Sequence, residues 1–324
     1  MQSTDLYPTR RFKEPRLVYR TDDPAVWGRP GDGPLTEAQL DAHELDGFTA
    51  IEELLEPAEL AAAQTELNQI LQDPSLDGDE RVIRERSTAE IRSVFDVHRL
   101  SEHFAALIRD ERIAGIARQI LGSDVYVHQS RVNYKPGFGG APFEWHSDFE
   151  TWHAEDGMPR MRAVSLSLAL TENYHFNGSL MIMPGSHQTF VSCVGATPED
   201  NHKASLVKQE VGTPDHDSLR MLADKHGIHQ FTGPAGSAIW FDSNCMHGSN
   251  GNITPFPRSN LFIVFNSVEN ALEAPFAAEK HRPEYLGSRG HSTARGHRGS
   301  GRRRCGSGSA SRAPRLCSAA AAAS

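Results

Sequence analysis

The chain has 324 residues, enough to bury a sizeable core as one large domain or two smaller ones. Its formal net charge is −9, but eight arginines and no acid lie from residue 288 on, so the body carries 25 basic against 42 acidic residues and repels nucleic acid and anionic membranes. No run of about 18 apolar residues indicates a membrane span, the first residues lack the basic flank and apolar stretch of a secretory signal, and four cysteines with neither a disulfide framework nor a zinc CxxC point to a reducing, cytoplasmic setting.

Residues 1–34 are rich in Pro, Arg and Gly, show no period, and read as an irregular N-terminal arm. Helices are predicted over 35–45 and 56–71. The second opens on Pro57, a good first-turn residue, and carries Leu60, Ala63, Gln64 and Leu67 at helical spacing. Between them 47–51 reads as a short strand. Residues 99–107 and 111–121 are predicted helices, the latter stopped by Gly122. From there the texture changes. Residues 125–134 alternate as a strand does, and 163–170, 179–183, 237–241 and 260–268 also read as strands. Turn residues such as Pro184-Gly185-Ser186 and Gly233-Pro234-Ala235-Gly236 separate them. The polar insert 193–229 contains a predicted helix over 219–226. Helices first, then many strands with long inserts, indicate a mainly β protein with flanking helices, built as a β-sandwich or jelly roll. We take 35–287 as one domain. Residues 288–324 are low-complexity Gly, Ser, Ala and Arg, with too little apolar surface to order themselves. A disordered tail is expected there, with an altered reading frame or a basic nucleic-acid-binding arm as the other readings.

The most informative stretch is Phe143-Glu144-Trp145-His146-Ser147-Asp148-Phe149-Glu150-Thr151-Trp152-His153. In an extended chain residues i and i+2 point to the same side, so His146 and Asp148 offer an imidazole nitrogen and a carboxylate oxygen to one point. Of the 16 histidines only His146 has Asp two residues on, and only His153 has Glu there. A second histidine would complete two His and one carboxylate on one face of a metal, the arrangement of non-haem Fe(II) oxygenases with open positions for other ligands. His247 is the preferred third ligand, because it follows the apolar strand 237–241, where a rigid sheet would hold it. Arg258 comes eleven residues later beside the strand 260–268, where its planar fork could clamp the distal carboxylate of a dicarboxylate cosubstrate. The competitors are His187, at the end of a turn, and His153 with Glu155, although 154–160 reads as a loop. His202, His216, His226 and His229 lie in or near the polar insert and read as solvated. The alternative to a metal site is that His146 and Asp148 merely hydrogen-bond each other in a loop.

The same stretch, continued by Ala154-Glu155-Asp156-Gly157-Met158-Pro159-Arg160-Met161-Arg162-Ala163, resembles the signature of the ectoine hydroxylases, within the phytanoyl-CoA-dioxygenase-like Fe(II)/2-oxoglutarate oxygenases. The resemblance runs from about Pro8 to Pro283. It implies a double-stranded β-helix (jelly-roll, cupin-like) core, a homodimer, and hydroxylation of ectoine to 5-hydroxyectoine, a compatible solute, with Fe(II) as metal and 2-oxoglutarate and O2 as cosubstrates. It implies iron ligands at His146, Asp148 and His247, ectoine binding by Gln129 and Trp152, and 2-oxoglutarate binding by Lys135. A carboxylate ligand at Asp148 leaves no vacancy for a halide and so supports hydroxylation. After Tyr285-Leu286-Gly287 the tail departs from the short ending expected of the family.

Ectoine is a small cyclic amidinium carboxylate, for which a site should present an aromatic face to the delocalised cation. Trp152 and Phe149 flank the motif, and Phe262 is a further candidate. Lys135 and Arg258 together would supply two cations for the 2-oxoglutarate carboxylates. Two rival readings stand beside this one: an oxygenase of the same fold acting on another small substrate, and a non-catalytic metal-binding β-barrel.

Overall fold

The computed structural model describes residues 3–85 and 88–290. The large sheet has the order β2 (Phe48–Ile51), β11 (Ala238–Asp242), β7 (Ala163–Ala169), β13 (Arg258–Ser267), β5 (Val125–Lys135), β4 (Ile91–Phe95), β3 (Val82–Arg84), with antiparallel neighbours throughout. A smaller sheet faces it, in the order β10 (His229–Gln230), β8 (Leu180–Ile182), β12 (His247–Ser249), β6 (Phe143–His146). Leu180 and Ile182 of the small sheet pack on Ile239, Phe241 and Phe262 of the large one. This is the jelly-roll core the sequence indicates, with the predicted flanking helices.

The helices cover the other face of the large sheet. They are α1 (Glu37–Asp46), α2 (Pro57–Gln72), α3 (Val97–Leu100), α4 (Glu102–Ile108) and α5 (Glu111–Leu121). Strand alternation decides which side chains meet them: Leu261, Ile263 and Phe265 of β13 join Ile113, Ile116 and Ile120 of α5 in the main core, while Phe262 points between the sheets. Each such side chain, fully buried, contributes on the order of 1.5–3 kcal/mol. The bounds of α5 follow from its caps. The Asp110 carboxylate accepts from the Arg112 N–H at 2.8 Å, and Gly122 takes the left-handed conformation (φ 59°) that ends the helix. The single helix expected over 99–107 is split at Ser101, whose hydroxyl accepts from the Phe104 N–H and starts α4.

Three departures from the predicted elements bear on the site. First, β6 runs directly into α6 (Asp148–Asp156), so the segment after His146 is helical rather than extended, and 154–156 form its last turn rather than a loop. Second, the insert holds a short α7 (Asn201–Ser205) as well as α8 (His216–His226), which starts three residues before the predicted helix. Third, the N-terminal arm is not irregular throughout. Its β1 (Arg16–Tyr19) pairs antiparallel with β9 (Thr189–Ser192), and a buried Arg20–Asp242 ion pair at 2.9 Å fastens it to the body.

At the other end the packed chain passes the expected boundary at 287. Ser288 is buried, and its N–H donates to the His128 carbonyl at 2.9 Å. Of the expected tail, 291–324 lie outside the described residues. Because that segment is almost free of large apolar residues, its deletion is expected to leave melting temperature and turnover unchanged at low and high salt, whereas a cut before Ser288 lowers both. A clear loss in the 1–290 protein at both salts would show that the tail contributes to the site.

Candidate metal centre and its cavity

β6 and β12 are neighbours in the small sheet, in a register that sets His146 directly opposite His247, with ring centroids 4.3 Å apart. Asp148 is the first residue of α6. Ser147, between strand and helix, is extended (φ −105°, ψ 129°), so the chain turns just after presenting His146 and brings the carboxylate back beside it. The ligand atoms of His146, Asp148 and His247 all lie within 4.8 Å of one another.

Each imidazole is oriented from behind. His146 Nδ1 lies 2.7 Å from the Glu144 carbonyl, and His247 Nδ1 lies 3.0 Å from the Cys245 carbonyl. A carbonyl can only accept, so both rings carry their proton on Nδ1 and leave the Nε2 lone pairs free, as metal-bound histidines require. The Asp148 carboxylate stands 3.6 Å from His146 Nε2 and 3.9 Å from His247 Nε2. Those gaps are too long for hydrogen bonds, so the three groups do not satisfy one another, and a cation between them would. Ser165 Oγ donates to Asp148 Oδ2 at 3.1 Å and fixes its plane.

Protonation states agree with this donor set. Burial, then the neighbouring His146, pushes the His247 imidazole down to about 4. Burial alone would raise Asp148, but His247, His146 and Arg131 hold its carboxyl well below the usual range. A neutral imidazole and an ionised carboxylate are the forms that bind metal.

The other candidate ligands are engaged elsewhere. His153 is fully buried, with Nδ1 at 2.8 Å from the Met158 carbonyl and Nε2 at 3.1 Å from Asp5. Glu155 is paired with Arg10. His187 Nε2 meets the Glu44 carbonyl at 3.1 Å beneath α1. Of the insert histidines, His216 is exposed, and His202, His226 and His229 are half-buried rather than fully solvated.

His146 and Asp148 open onto a cavity of about 380 Å³ that Gln129, Arg131, Phe143, Thr151 and Trp152 help to line. Gln129 donates Nε2–H to the Leu286 carbonyl at 2.7 Å and accepts from Arg131 at 2.7 Å. Lys135 and Arg258 face each other across β5 and β13. Both are buried, and among the described residues no carboxylate is bonded to either. Lys135 Nζ donates to Ser249 Oγ at 3.0 Å, and Arg258 donates to Asn173 Oδ1 and the Gly178 carbonyl, leaving one terminal nitrogen without a partner. Burial, then Arg258 and Arg92, pushes the Lys135 ammonium down to about 6, and burial pushes Arg258 down to about 10.

Two aromatic expectations need correction. Phe149 is fully buried on the far side of α6, edge-on to Tyr7 at 5.2 Å and packed with Phe190, and does not line the cavity. Phe262 is 7% exposed, lies between the sheets under the Arg131 guanidinium at 5.1 Å, and supports that arginine rather than facing the cavity. In the opposite sense, Arg131, not among the predicted site residues, lines the cavity. Alternation from Gln129 already puts it on the same strand face, and burial pulls its guanidinium below the ordinary value. Glu155, Asn201 and Arg282 also reach the cavity, from α6, the insert and the C-terminal segment.

The model of the phytanoyl-CoA dioxygenase family matches residues 43–260. The chain belongs to this family. Among its members, the ectoine dioxygenase of Streptomyces avermitilis is 60% identical over 287 residues, covering 88% of this chain and 97% of that one. The crystal structure of EctD from S. alaskensis with 2-oxoglutarate and 5-hydroxyectoine superposes with a TM-score of 0.81 at 46% identity, covering 89% of this chain and 95% of that one. The same protein with bound Fe gives 0.81 at 45% identity, covering 90% and 98%. As in other phytanoyl-CoA dioxygenase relatives, iron and 2-oxoglutarate are the groups this chain uses.

Alanine at His146, Asp148 or His247 is expected to abolish iron retention and turnover together, read by anaerobic iron titration of the purified variants. Full iron binding in His247→Ala would return His187 or His153 to consideration.

Proposed function

We infer that this chain is an Fe(II)- and 2-oxoglutarate-dependent dioxygenase that hydroxylates ectoine to 5-hydroxyectoine, with release of succinate and CO2. One observation carries the reading: two pre-oriented imidazoles and one carboxylate converge at a cavity, in a chain 60% identical to an ectoine dioxygenase over 88% of its length.

We assign His146, Asp148 and His247 as the iron ligands. Bound there, Fe(II) with 2-oxoglutarate and O2 supplies the oxidising power to put a hydroxyl group on an unactivated carbon. The protein's own residues bind, orient and shield. Ser249, which holds Lys135 Nζ, is two residues along β12 from His247, about 7 Å at strand spacing. A five-carbon dicarboxylate anchored at the metal by one end spans that gap. Keeping both Lys135 and Arg258 charged while buried without an anion is costly, and a distal carboxylate between them removes that cost. On the substrate side we assign Trp152 to the amidinium, through its ring face, and Gln129 with Arg131 to the polar substituents. The Leu286 carbonyl fixes the Gln129 amide and the amide in turn aims Arg131, so the donors are oriented before substrate arrives.

The family resemblance supports a homodimer, which light scattering of the purified protein would read. Among the described residues no helix is long and apolar enough to cross a membrane. Cys193 and Cys245 are free and buried, which supports the cytoplasmic reading.

Purified protein given Fe(II), 2-oxoglutarate, oxygen and ectoine is expected to form succinate and hydroxylated ectoine one for one, the product identified by mass and NMR. Metal binding without 2-oxoglutarate consumption would favour the non-catalytic barrel. Consumption that ectoine does not stimulate would favour another small substrate.

Lys135 gives a second test. With its ammonium pushed down to about 6 in the free protein, it is mostly neutral at about pH 7.5, and an arriving carboxylate raises its affinity for a proton. Anaerobic binding of 2-oxoglutarate is therefore expected to take up close to one proton at about pH 7.5 and almost none below about pH 5, where Lys135 is already charged. Calorimetry in two buffers of different ionisation enthalpy counts the protons. Undiminished uptake in Lys135→Met would assign them elsewhere.

A further inference from the structure

Helix α6 carries more ionisable groups than metal and substrate use. Glu150, His153, Glu155 and Asp156 are all buried, and each meets a partner from another part of the chain. The most extensive of these contacts belongs to Arg10 of the N-terminal arm. Its guanidinium grips Glu150 with two parallel bonds, from Nε at 2.9 Å and from a terminal nitrogen at 2.7 Å. The other terminal nitrogen donates to Glu155 Oε1 at 2.7 Å and to Thr197 Oγ1 at 2.9 Å. Glu155 Oε1 also accepts from Asn201 of α7 at 2.8 Å. One arginine thereby ties the arm, α6 and the insert together.

We propose that Arg10 is a positioning residue for substrate capture: it locks α6 to the insert that walls the cavity, and so sets the shape into which ectoine fits. The proposal rests on reading the cavity as ectoine's site. Along α6, residues 148, 151, 152 and 155 share the face turned to the cavity, at helical spacing. Glu150 lies off that face. Arg10 therefore holds the helix from behind through Glu150 and at the cavity rim through Glu155, whose partner Asn201 is itself part of the wall. The far end of the insert closes on the same pair. A Cβ at Gly212 would stand 2.5 Å from the guanidinium and 2.6 Å from Glu150 Oε2, so only glycine allows this approach. Arg10 itself has φ 58°, a left-handed conformation that a non-glycine residue keeps only where its surroundings impose it.

The start of α6 is held independently. The Phe149 N–H donates to the Ser243 carbonyl at 2.9 Å, and Ser165 holds Asp148. Lys135 and Arg258 sit on β5 and β13 and bond neither α6 nor the insert. Loss of Arg10 should therefore spare iron and 2-oxoglutarate and fall on the substrate.

The test compares wild type with Arg10→Gln, Arg10→Lys and Thr197→Val in the full chain. Arg10→Gln is expected to raise the ectoine KM roughly tenfold or more, with the 2-oxoglutarate KM and iron content held, and to form more succinate than hydroxylated product. Arg10→Lys, which keeps the charge without the fork, should restore part of the coupling. Amide hydrogen exchange without turnover should quicken in residues 150–156 and 197–212 and not in β5. A merely structural arginine would lower melting temperature and active fraction while the surviving enzyme kept its KM and coupling. Wild-type ectoine KM, coupling and exchange in a folded Arg10→Gln protein would overturn the proposal. If that variant does not fold, Thr197→Val decides, since it keeps the Arg10 fork on Glu150 and Glu155 and removes only the Arg10 bond to Thr197, together with the Thr197 bond to the Ala277 carbonyl: a smaller rise in ectoine KM supports the clamp, and no change overturns it. If wild type hydroxylates no ectoine, it is the reading of the site that fails, and the exchange measurement alone still tests the clamp.

Discussion

Everything at the metal centre depends on one cross-strand register, His146 opposite His247 between β6 and β12. Side chains alternate along a strand, so a slip of one residue would turn one imidazole out of the site and break the ligand set. The register is secured on the other side of β12 as well, where His247 pairs with Ile182 of β8, whose side chain is locked between the two sheets. The sheet supplies two ligands and leaves the third to the first turn of a helix. That division matters because a helix can be held by other parts of the chain, and α6 is: its polar side chains reach the arm, the insert and the C-terminal segment.

The metal centre and the strands beside it bury charges in surroundings that would normally reject them. Asp148 is kept ionised by the groups around it, while Arg131, Lys135 and Arg258 are each pulled below their ordinary values chiefly by burial. A site built to pack well when empty would not leave a buried lysine and arginine directly opposite each other without a carboxylate. The imbalance has chemical sense because the cosubstrate and the substrate both carry carboxylates. β5 alone projects Gln129, Arg131 and Lys135 to one side, so a single strand carries residues we assign to both ligands.

The sequence made legible what local patterns encode. The amphipathic, capped α5 could be read to its terminal residues, and the His-x-Asp pair with a strand-end histidine could be read because two residues of extended chain fix a common direction. α6 escaped because Asp148 to Asp156 are buried on nearly every side, polar residues included, so no apolar stripe marks a 3.6-residue period. The same fact misled the reading of Phe149: an aromatic inside a functional motif faced the core behind the helix. Arg131 is legible in the alternation of β5, two residues from Gln129 on the same face. Asn201 and Arg282 carry no local signal, and the spacing of Glu155 from His153 points to a metal rather than to this wall, because only the tertiary fold brings their three segments to one cavity.

The pairing of β1 with β9 joins strands about 170 residues apart. During synthesis the arm leaves the ribosome well before Glu150, Glu155 and β9. At about 5–20 residues per second, the arm waits on the order of ten to thirty seconds for its partners. Throughout that interval β1 has an unpaired edge, and Arg10 has no carboxylates to bind. The arm, made before its partners, is thus among the last parts to find its place, and the walls of the substrate cavity are complete only when most of the chain has been made.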